Sequence, residues 1–131
     1  MKIRVVSSKD EIMSLSSDER IVHLAFRPSD KDIFSLIKTC PGIKAIHVPC
    51  SYEKTISRSI RMFLNMQNIA LLEGDVWGHR KDINEYYEIK KSFIDRINEL
   101  KNEGNNEKEI FKKMKKETRL SQDLINYIID S

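Results

Sequence analysis

Polar and charged side chains follow several of the apolar runs in this chain, where they could bind an anion. The ends of parallel strands meet at one edge of a sheet, and open α/β sheets bind their ligands at that edge. Arginine side chains, serine hydroxyls and the free N–H groups of helix N-termini all favour negative charge. The sequence therefore predicts a candidate ligand or anion site formed by Arg27, Ser51, Asp75, His79 and Arg80.

The same residues also have simpler interpretations. Ser8, Ser29 and Ser51 are each placed to cap a helix, a role that every α/β protein needs. Asp75 and His79 are spaced to pair as a carboxylate and an imidazole. The stretch 74–82 can instead form a structural corner in which Asp75 caps a turn. A helix cap and a structural corner need no ligand, so the sequence by itself favours these two roles.

His23 and His47 occupy similar positions in two apolar runs, so neighbouring strands could bring them together as metal ligands. No carboxylate at a fixed spacing supports such a site, and we expect hydrogen-bonded structural histidines instead. Cys40 and Cys50 lack the paired spacing of a zinc site, and Cys50 has no evident base partner for a nucleophile. We therefore predict no metal and no cofactor.

The second candidate site lies near the C-terminus, where two short helical patterns are separated by 118–120. This pattern is typical of a helix-turn-helix. Its basic side chains could contact phosphates, and its polar side chains would be exposed on a recognition helix. Acidic residues in the same segment would oppose DNA, and a plain helical hairpin with solvated lysines is the alternative. The candidate contacts with nucleic acid or a partner are Lys112, Lys113, Lys115, Lys116, Arg119, Gln122 and Asn126.

Four β-branched or aliphatic runs, at 3–6, 21–26, 43–48 and 69–72, predict the strands that position the first site. Helical spacing lies between them, and the alternation of strands and helices indicates a parallel sheet. Ser8–Glu11 and Ser29–Asp32 resemble helix-capping sequences, and Pro41-Gly42 ends the second helix. The regular strand spacing also permits a repeat-like arc.

Helices are predicted for the last third of the chain. An apolar stripe from Ile83 through Tyr86, Tyr87 and Phe93 to Leu100 predicts one long helix that ends near Gly104. Shorter helices follow at about 106–117 and 121–129. We expect a single domain, 1–131, with an α/β part at 1–80 and a helical part at 81–131.

The composition limits the class of protein. With 131 residues, 40% hydrophobic and 33% charged, the chain can form a core and a solvated surface. The formal net charge of +3 is too small to imply nucleic acid by itself. Apolar runs are far shorter than the ~20 residues that span a bilayer, so we expect a cytoplasmic protein without a membrane partner. Gly-rich phosphate loops and Gly-x-Ser-x-Gly elbows are missing from the sequence, which lowers the expectation of an enzyme.

Three stretches resemble a known family: Ile21–Pro28, Cys40–Ile46 and, above all, Leu71–Ile89 with the sequence LLEGDVWGHRKDINEYYEI. Together they are similar to a family of small uncharacterised proteins from methanogenic archaea, a domain of unknown function. The resemblance covers nearly the whole chain. It implies an archaeal source, but it implies no activity, cofactor or catalytic residue.

These observations lead to one expected function and one main alternative. A third possibility, a purely structural subunit that an exposed self-complementary apolar patch would identify, stays open, and the sequence permits an oligomer without indicating one. We expect an α/β fold with a short, mainly parallel sheet of about four strands and interleaved helices. A C-terminal helical subdomain resembling a helix-turn-helix follows the sheet. The expected function is a non-enzymatic binding or regulatory module that contacts nucleic acid or a protein partner through those helices. The alternative is a small anionic-ligand-binding protein, or an enzyme without a recognisable motif, with its site at the sheet edge.

Overall fold

The computed structural model describes residues 1–76 and 85–130 of the chain. In this part, a five-stranded sheet forms the centre of the molecule, with strand order β4-β3-β2-β1-β5. The first four strands along the chain run parallel, and β5 pairs antiparallel with β1. The strands are β1 (Lys2–Val6), β2 (Ile21–Leu24), β3 (Ala45–Val48), β4 (Ala70–Glu73) and β5 (Tyr86–Glu88).

A 3₁₀ helix (Lys9–Ser14) follows β1, and six α-helices are present in the described ranges. Three lie between the strands and three follow the sheet. They are α1 (Asp30–Thr39), α2 (Cys50–Glu53), α3 (Arg58–Met66), α4 (Lys91–Asn102), α5 (Glu107–Thr118) and α6 (Gln122–Asp130). Of these helices, none has the length and apolar character needed to cross a membrane.

One face of the sheet is covered by the 3₁₀ helix, α1 and α3, which we call the first layer. Successive side chains of a strand point to opposite faces, and Val22, Leu24 and Ile46 belong to the core on this side. Ile33 and Leu36 of α1 pack into the same core. The first layer is thus held by aliphatic side chains at helical spacing.

The opposite face is covered by α4, α5 and α6, which we call the C-terminal layer. Ile3 and Leu72 of the strands share a buried core with Ile97, Ile110 and Ile125 of the three helices. At the end of α4, Gly104 has φ +91°, and the N–H of the next residue returns to a carbonyl of the last helical turn. This left-handed ending is typical of helix C-termini. The C-terminal helices are therefore packed onto the sheet.

The predicted α/β architecture, the interleaved helices and the C-terminal helices are confirmed. The long helix predicted from Ile83 is wrong where the structure describes it. Tyr86–Glu88 forms β5, which pairs with β1 at the register Ile3↔Tyr87, and the helix begins at Lys91. Tyrosines favour strands, and pairing satisfies the backbone groups of β1 on that side. Ile83 itself lies outside the described residues.

The predicted caps have different outcomes. Ser29 caps α1, as predicted, and Asp32 completes a reciprocal capping box with it. Ser8 makes no side-chain capping bond, and the segment after it is a 3₁₀ helix; Glu11 instead accepts a hydrogen bond from the Ser7 N–H. Ser51 lies inside α2, after the N-cap Pro49, so its predicted cap is wrong. These outcomes depend on which residue directly precedes each helix. A pattern in one sequence locates that residue only approximately.

Candidate nucleic-acid interface and buried histidine pair

The described residues of the predicted anion site lie after β2, β3 and β4, at the carboxyl edge of the sheet. The guanidinium carbon of Arg27 lies 5.9 Å from the centre of the Tyr52 ring, so the loop after β2 meets α2. Ser51 and Asp75 are exposed. Asp75 accepts a hydrogen bond from the Val76 N–H through Oδ1, at 2.9 Å. His79 and Arg80 lie outside the described residues, as do Trp77 and Asp82 of the proposed corner.

His23 and His47 are brought together by the β2–β3 register, where they are direct partners. Both side chains are fully buried on the side of the C-terminal layer, and their Nδ1 atoms are 2.7 Å apart. One ring must donate its Nδ1–H and the other must accept it, because two donors or two acceptors cannot form this bond. The prediction of hydrogen-bonded structural histidines agrees with this geometry.

His47 is held in its neutral form by its surroundings. Burial, and to a smaller extent the neighbouring His23, lower the pKa of His47 from 6.5 to about 3, while Asp75 opposes the shift. Asp75 Oδ1 lies 3.9 Å from His23 Nε2, and its side chain is half exposed to solvent. No cluster of three or more potential ligands that could hold a metal occurs among the described residues.

Gly74 is required where β4 leaves the sheet beside this pair. A Cβ at this position would lie 2.5 Å from Ser121 Oγ and 2.6 Å from His47 Nε2, distances that real Cβ contacts do not show. Just before it, the Glu73 N–H donates to Asp123 Oδ2 at 2.8 Å. The N-terminus of α6 is therefore fixed against the carboxyl end of β4.

Cys50 lies at the same edge, but its environment does not suit a nucleophile. The thiol is exposed, and its interaction with the Glu73 carboxyl group raises its pKa. Reactive cysteines have a lowered pKa, because the thiolate is the attacking species. The geometry gives Cys50 no catalytic assignment.

Helix α5 carries a line of cations on its solvent side. Residues three or four apart lie on the same side of a helix, and Lys108, Lys112 and Lys115 have this spacing. Lys116 lies beside them, and Arg119 is the C-cap of the helix. All five side chains are exposed. We call these five residues the basic stripe; Lys108 was missed by the sequence interpretation, although its spacing to Lys112 could have revealed it.

Lys113 lies at the margin of the basic stripe, three residues before Lys116, and differs from it by its hydrogen bond to Asn105. It is one residue after Lys112, so it is turned by about 100° around the helix. Its Nζ atom donates to Asn105 Oδ1 at 3.0 Å. The buried side of α5 consists of Ile110, Met114 and Thr118. The structure thus groups four of the five predicted cations of this segment and separates one.

The acidic residues of α5 form no ion pair with the basic stripe in the described part of the chain. Glu109 accepts a hydrogen bond from the backbone N–H of Asn106, and Asn106 accepts one from Glu109 N–H in return. Glu107 lies in the first turn, where a negative charge favours the helix dipole. Among the described residues, no ion pair within 4.0 Å involves a stripe cation.

The turn between α5 and α6 is formed by Thr118, Arg119 and Leu120. Arg119 has left-handed backbone angles, φ 56° and ψ 16°. Thr118 Oγ1 donates to the Met114 carbonyl and accepts from the Leu120 N–H. Beside the turn lies a shallow depression of about 330 Å³ that is lined by Phe111, Lys115, Arg119 and Leu120. Its apolar floor therefore adjoins two cations of the stripe.

The polar side chains of α6 are less accessible than those of α5. Gln122 and Asn126 are half-buried, and Gln122 Nε2 donates to Asn126 Oδ1 at 2.9 Å. Leu124, Ile125, Ile128 and Ile129 are buried against the rest of the layer. The helix has no lysine or arginine, and it contains Asp123 and Asp130. Of the two helices, α5 therefore presents the stronger positive surface.

A wide cavity of about 720 Å³ lies at the opposite, amino edge of the sheet. Buried Glu19 and Tyr86 line it, and the Tyr86 hydroxyl donates to the Glu19 carboxylate. This bond raises the pKa of Tyr86. The contact between Glu19 and Tyr86 was not predicted, because the two residues are 67 positions apart in the sequence and Tyr86 was expected in a helix.

Two family models match the chain. The N-terminal domain of a family of unknown function, DUF1699, matches residues 2–85, and the C-terminal HTH domain of DUF1699 matches residues 92–130. The chain belongs to the DUF1699 family. The resemblance to a domain of unknown function is confirmed, and so is the helix-turn-helix character of the last three helices. The archaeal source stays a prediction.

Comparisons with curated proteins and with solved structures gave no match. Within the DUF1699 chain, the N-terminal match ends at residue 85 and the C-terminal match begins at residue 92, so the segment between the two family domains contains β5 and the first residue of α4. The basic stripe belongs to the HTH domain. The histidine pair belongs to the N-terminal domain, but it is covered by Gly74 and the start of α6.

Proposed function

We propose that this member of the DUF1699 family is a cytoplasmic, non-enzymatic module that binds duplex nucleic acid through the basic stripe of α5. The observation that carries the proposal is the line of five exposed cations without acidic partners among the described residues. Lysine and arginine side chains contact phosphates and displace condensed counterions, which favours binding. The HTH description of this domain supports a nucleic acid as the ligand.

The position of the charges favours phosphate contact over reading of the bases. Base recognition by a helix-turn-helix uses polar side chains of its second helix in the major groove. Here Gln122 and Asn126 of α6 are half-buried and bonded to each other, and α6 carries no cation. Lys112, Lys115 and Lys116 therefore supply most of the proposed affinity, with weak dependence on sequence. Gln122 and Asn126 contribute only after their mutual bond opens.

Salt dependence of duplex binding tests this proposal. If four to five phosphates are contacted, the logarithm of the binding constant falls with the logarithm of the salt concentration with a slope of about −4. The triple variant K112Q/K115Q/K116Q should reduce the slope to about −1 to −2. It should lower the affinity at 0.1 M salt by roughly 10²- to 10³-fold. Fluorescence anisotropy of a labelled duplex measures both quantities.

A matched control removes the same charge from other surfaces. Lys9, Lys44 and Lys54 are exposed and lie outside the C-terminal layer. The variant K9Q/K44Q/K54Q should therefore retain most of the affinity. Equal losses in both triple variants would show that only net charge matters, and no binding of the wild type at low salt would reject the proposal.

A second candidate function is anion binding at the carboxyl edge by Arg27, Ser51, Asp75, His79 and Arg80. The contact of Arg27 with the Tyr52 ring favours it, because it brings a cation to α2, the helix that carries exposed Ser51. Titration with inorganic phosphate, followed by NMR of the backbone amides, tests it. Saturable shifts around Ser51 that disappear in R27Q would support this function, and unchanged spectra would reject it.

A further inference from the structure

The first layer exposes large apolar side chains to solvent. Met13, Phe34, Met62 and Met66 are 76%, 49%, 59% and 75% exposed. In the described part of the chain, every large hydrophobic side chain that is exposed to solvent belongs to this layer. The C-terminal layer buries or half-buries its large apolar residues. An unequal distribution of this kind indicates a contact surface rather than scattered exposure.

The exposed side chains of α1 and α3 form a continuous patch. Met62 and Met66 are one helical turn apart on α3, so they are neighbours on its surface. Phe63 lies between them in the sequence and contacts Phe34 of α1, with ring centres 5.1 Å apart in an edge-to-face arrangement. We call Phe34, Met62, Phe63 and Met66 the apolar patch. Methionine side chains adapt to a partner surface because they are unbranched and polarizable.

We propose that the apolar patch is an interface with a second copy of this chain. The charges beside the patch are self-complementary. Both α1 and α3 lead from one parallel strand to the next on one face of the sheet, so they run in the same direction. Their N-termini are adjacent, because Ser57 Oγ donates to Asp30 Oδ1 at 3.2 Å. At this end, α1 begins with exposed Asp30 and α3 begins with exposed Arg58.

A twofold axis parallel to these helices places α1 of one copy over α3 of the other. The rotation keeps positions along the axis, so Asp30 of each copy faces Arg58 of the second copy. The four patch residues then pack against the same four residues, as an isologous interface requires. An apolar centre with charged residues at its edge is typical of protein interfaces.

The size of the patch sets the strength of this contact. A stable interface buries about 800 Å² on each partner, and a few central side chains supply most of the binding energy. Four patch side chains and two charge pairs correspond to a modest, concentration-dependent dimer. The interface lies on the face of the sheet opposite to α5, so both basic stripes stay accessible on the outer sides of the dimer. The inference does not depend on nucleic-acid binding.

Sedimentation velocity of the full chain, from about 10 to about 500 μM, tests the inference. The wild type should shift from monomer toward dimer over this range. The variant M62Q/M66Q keeps the length of both side chains and replaces their apolar ends, so it should weaken the dimer at least tenfold. The control K91Q/E103Q changes two exposed residues of the C-terminal layer and should leave the dimer unchanged. Circular dichroism confirms folding of each variant.

A charge exchange tests the arrangement of the helices. D30R and R58D should each weaken the dimer, because each places like charges across the interface. The double variant D30R/R58D should restore it. A wild type that is monomeric at the highest concentration, or a dimer that persists unchanged in M62Q/M66Q, would overturn the inference. Failure of the double variant to restore a dimer lost in the single variants would overturn the parallel arrangement.

Discussion

The two helical layers cover opposite faces of one sheet, but they present different surfaces to solvent. The first layer exposes Phe34, Met62 and Met66, whereas the C-terminal layer exposes the basic stripe of α5. Their inner sides are alike, since both bury isoleucine and leucine at helical spacing. Folding therefore requires the apolar inner sides of both layers, but it does not explain why their solvent-facing sides differ. The outer difference indicates two kinds of contact, an apolar one and an electrostatic one.

The largest effects are expected when one core residue in each layer is truncated, which compares how the two layers contribute to folding. Leu36 of α1 and Leu100 of α4 are almost completely buried. L36A and L100A should each lower the free energy of unfolding by about 2–5 kcal/mol, because each leaves a cavity. Both layers pack on the same sheet, so we expect one shared transition in urea, followed by circular dichroism and tryptophan fluorescence.

Two outcomes of this experiment have different meanings. Coincident transitions would support one cooperative domain over 1–131. A variant in which the C-terminal helices unfold first, while the sheet remains folded, would separate the chain at the boundary between the two family domains. M66A is a suitable control, because truncation of this exposed side chain should change stability by less than about 0.5 kcal/mol.

Gly74→Ala should have the next largest effect. The new methyl group would collide with Ser121 Oγ and His47 Nε2, so β4 and the start of α6 must move apart. We expect a loss of about 1–3 kcal/mol in the free energy of unfolding. Gly42→Ala is the matched control, since its Cβ would meet only the Arg20 side chain at 3.5 Å. Equal stability of G74A and G42A would contradict the described contact between β4 and α6.

Acid should destabilise the protein through the buried histidine pair. The pKa of His47 is about 3 in the folded protein and 6.5 in the unfolded chain, so protonation below pH 6.5 favours unfolding. Its contribution to stability is fully present above pH 6.5 and decreases by about 1.4 kcal/mol per unit as the pH falls toward 3. The free energy of unfolding, measured by urea titration, should therefore be about 2 kcal/mol lower at pH 5 than at pH 7.

The variant H47N supplies the control for this pH effect. It removes the titrating ring while keeping a polar side chain at the same place. We expect a smaller change between pH 7 and pH 5 in H47N than in the wild type. The same pH dependence in both proteins would show that other groups cause it.

The smallest effect on stability is expected for a substitution of Arg119. This substitution tests the role of the residue in folding and its role in binding separately. This residue adopts left-handed backbone angles, which cost a non-glycine residue about 1 kcal/mol. Arg119→Gly should therefore raise the stability by up to about 1 kcal/mol and, by removing one cation, reduce the salt slope of duplex binding by about 1. Thermal unfolding and anisotropy measure the two changes.

Asn68→Gly is the matched control on the other layer, since Asn68 has φ 58° after α3. It should change the stability slightly and leave duplex binding unchanged. Weaker duplex binding in N68G, or unchanged binding in R119G, would contradict the assignment of binding to the C-terminal layer.

Local patterns were sufficient to predict the parallel strands, α1 and its Ser29 cap, and the two last helices. The periodicity of apolar residues and the capping residues are local signals, so they can be recognised in one sequence. Tyr86–Glu88 was predicted as helix because its tyrosines fit a helical stripe. Its strand depends on pairing with β1, more than 80 positions earlier. Tertiary pairing of this kind leaves no local signal.

The candidate sites were predictable to a different extent. The sequence contains the lysines of α5, and helical spacing indicates that Lys112, Lys115 and Lys116 lie together. Lys113 was grouped with them, although its position around the helix turns it toward Asn105. The apolar patch depends on the contact between Phe34 and Phe63 of different helices, which only the fold supplies. The half-burial of Gln122 and Asn126 likewise follows from the packing of α6.

NMR of the uniformly ¹⁵N-labelled protein during titration with a short DNA duplex tests the central claim most directly. It reports both layers in one experiment. We predict shifts of the α5 amides and of the turn at Arg119 that grow with duplex concentration and disappear in high salt. The amides of α1 and α3 should remain unchanged. Shifts centred on α1 and α3, or unchanged spectra at low salt, would contradict a nucleic-acid interface on the C-terminal layer.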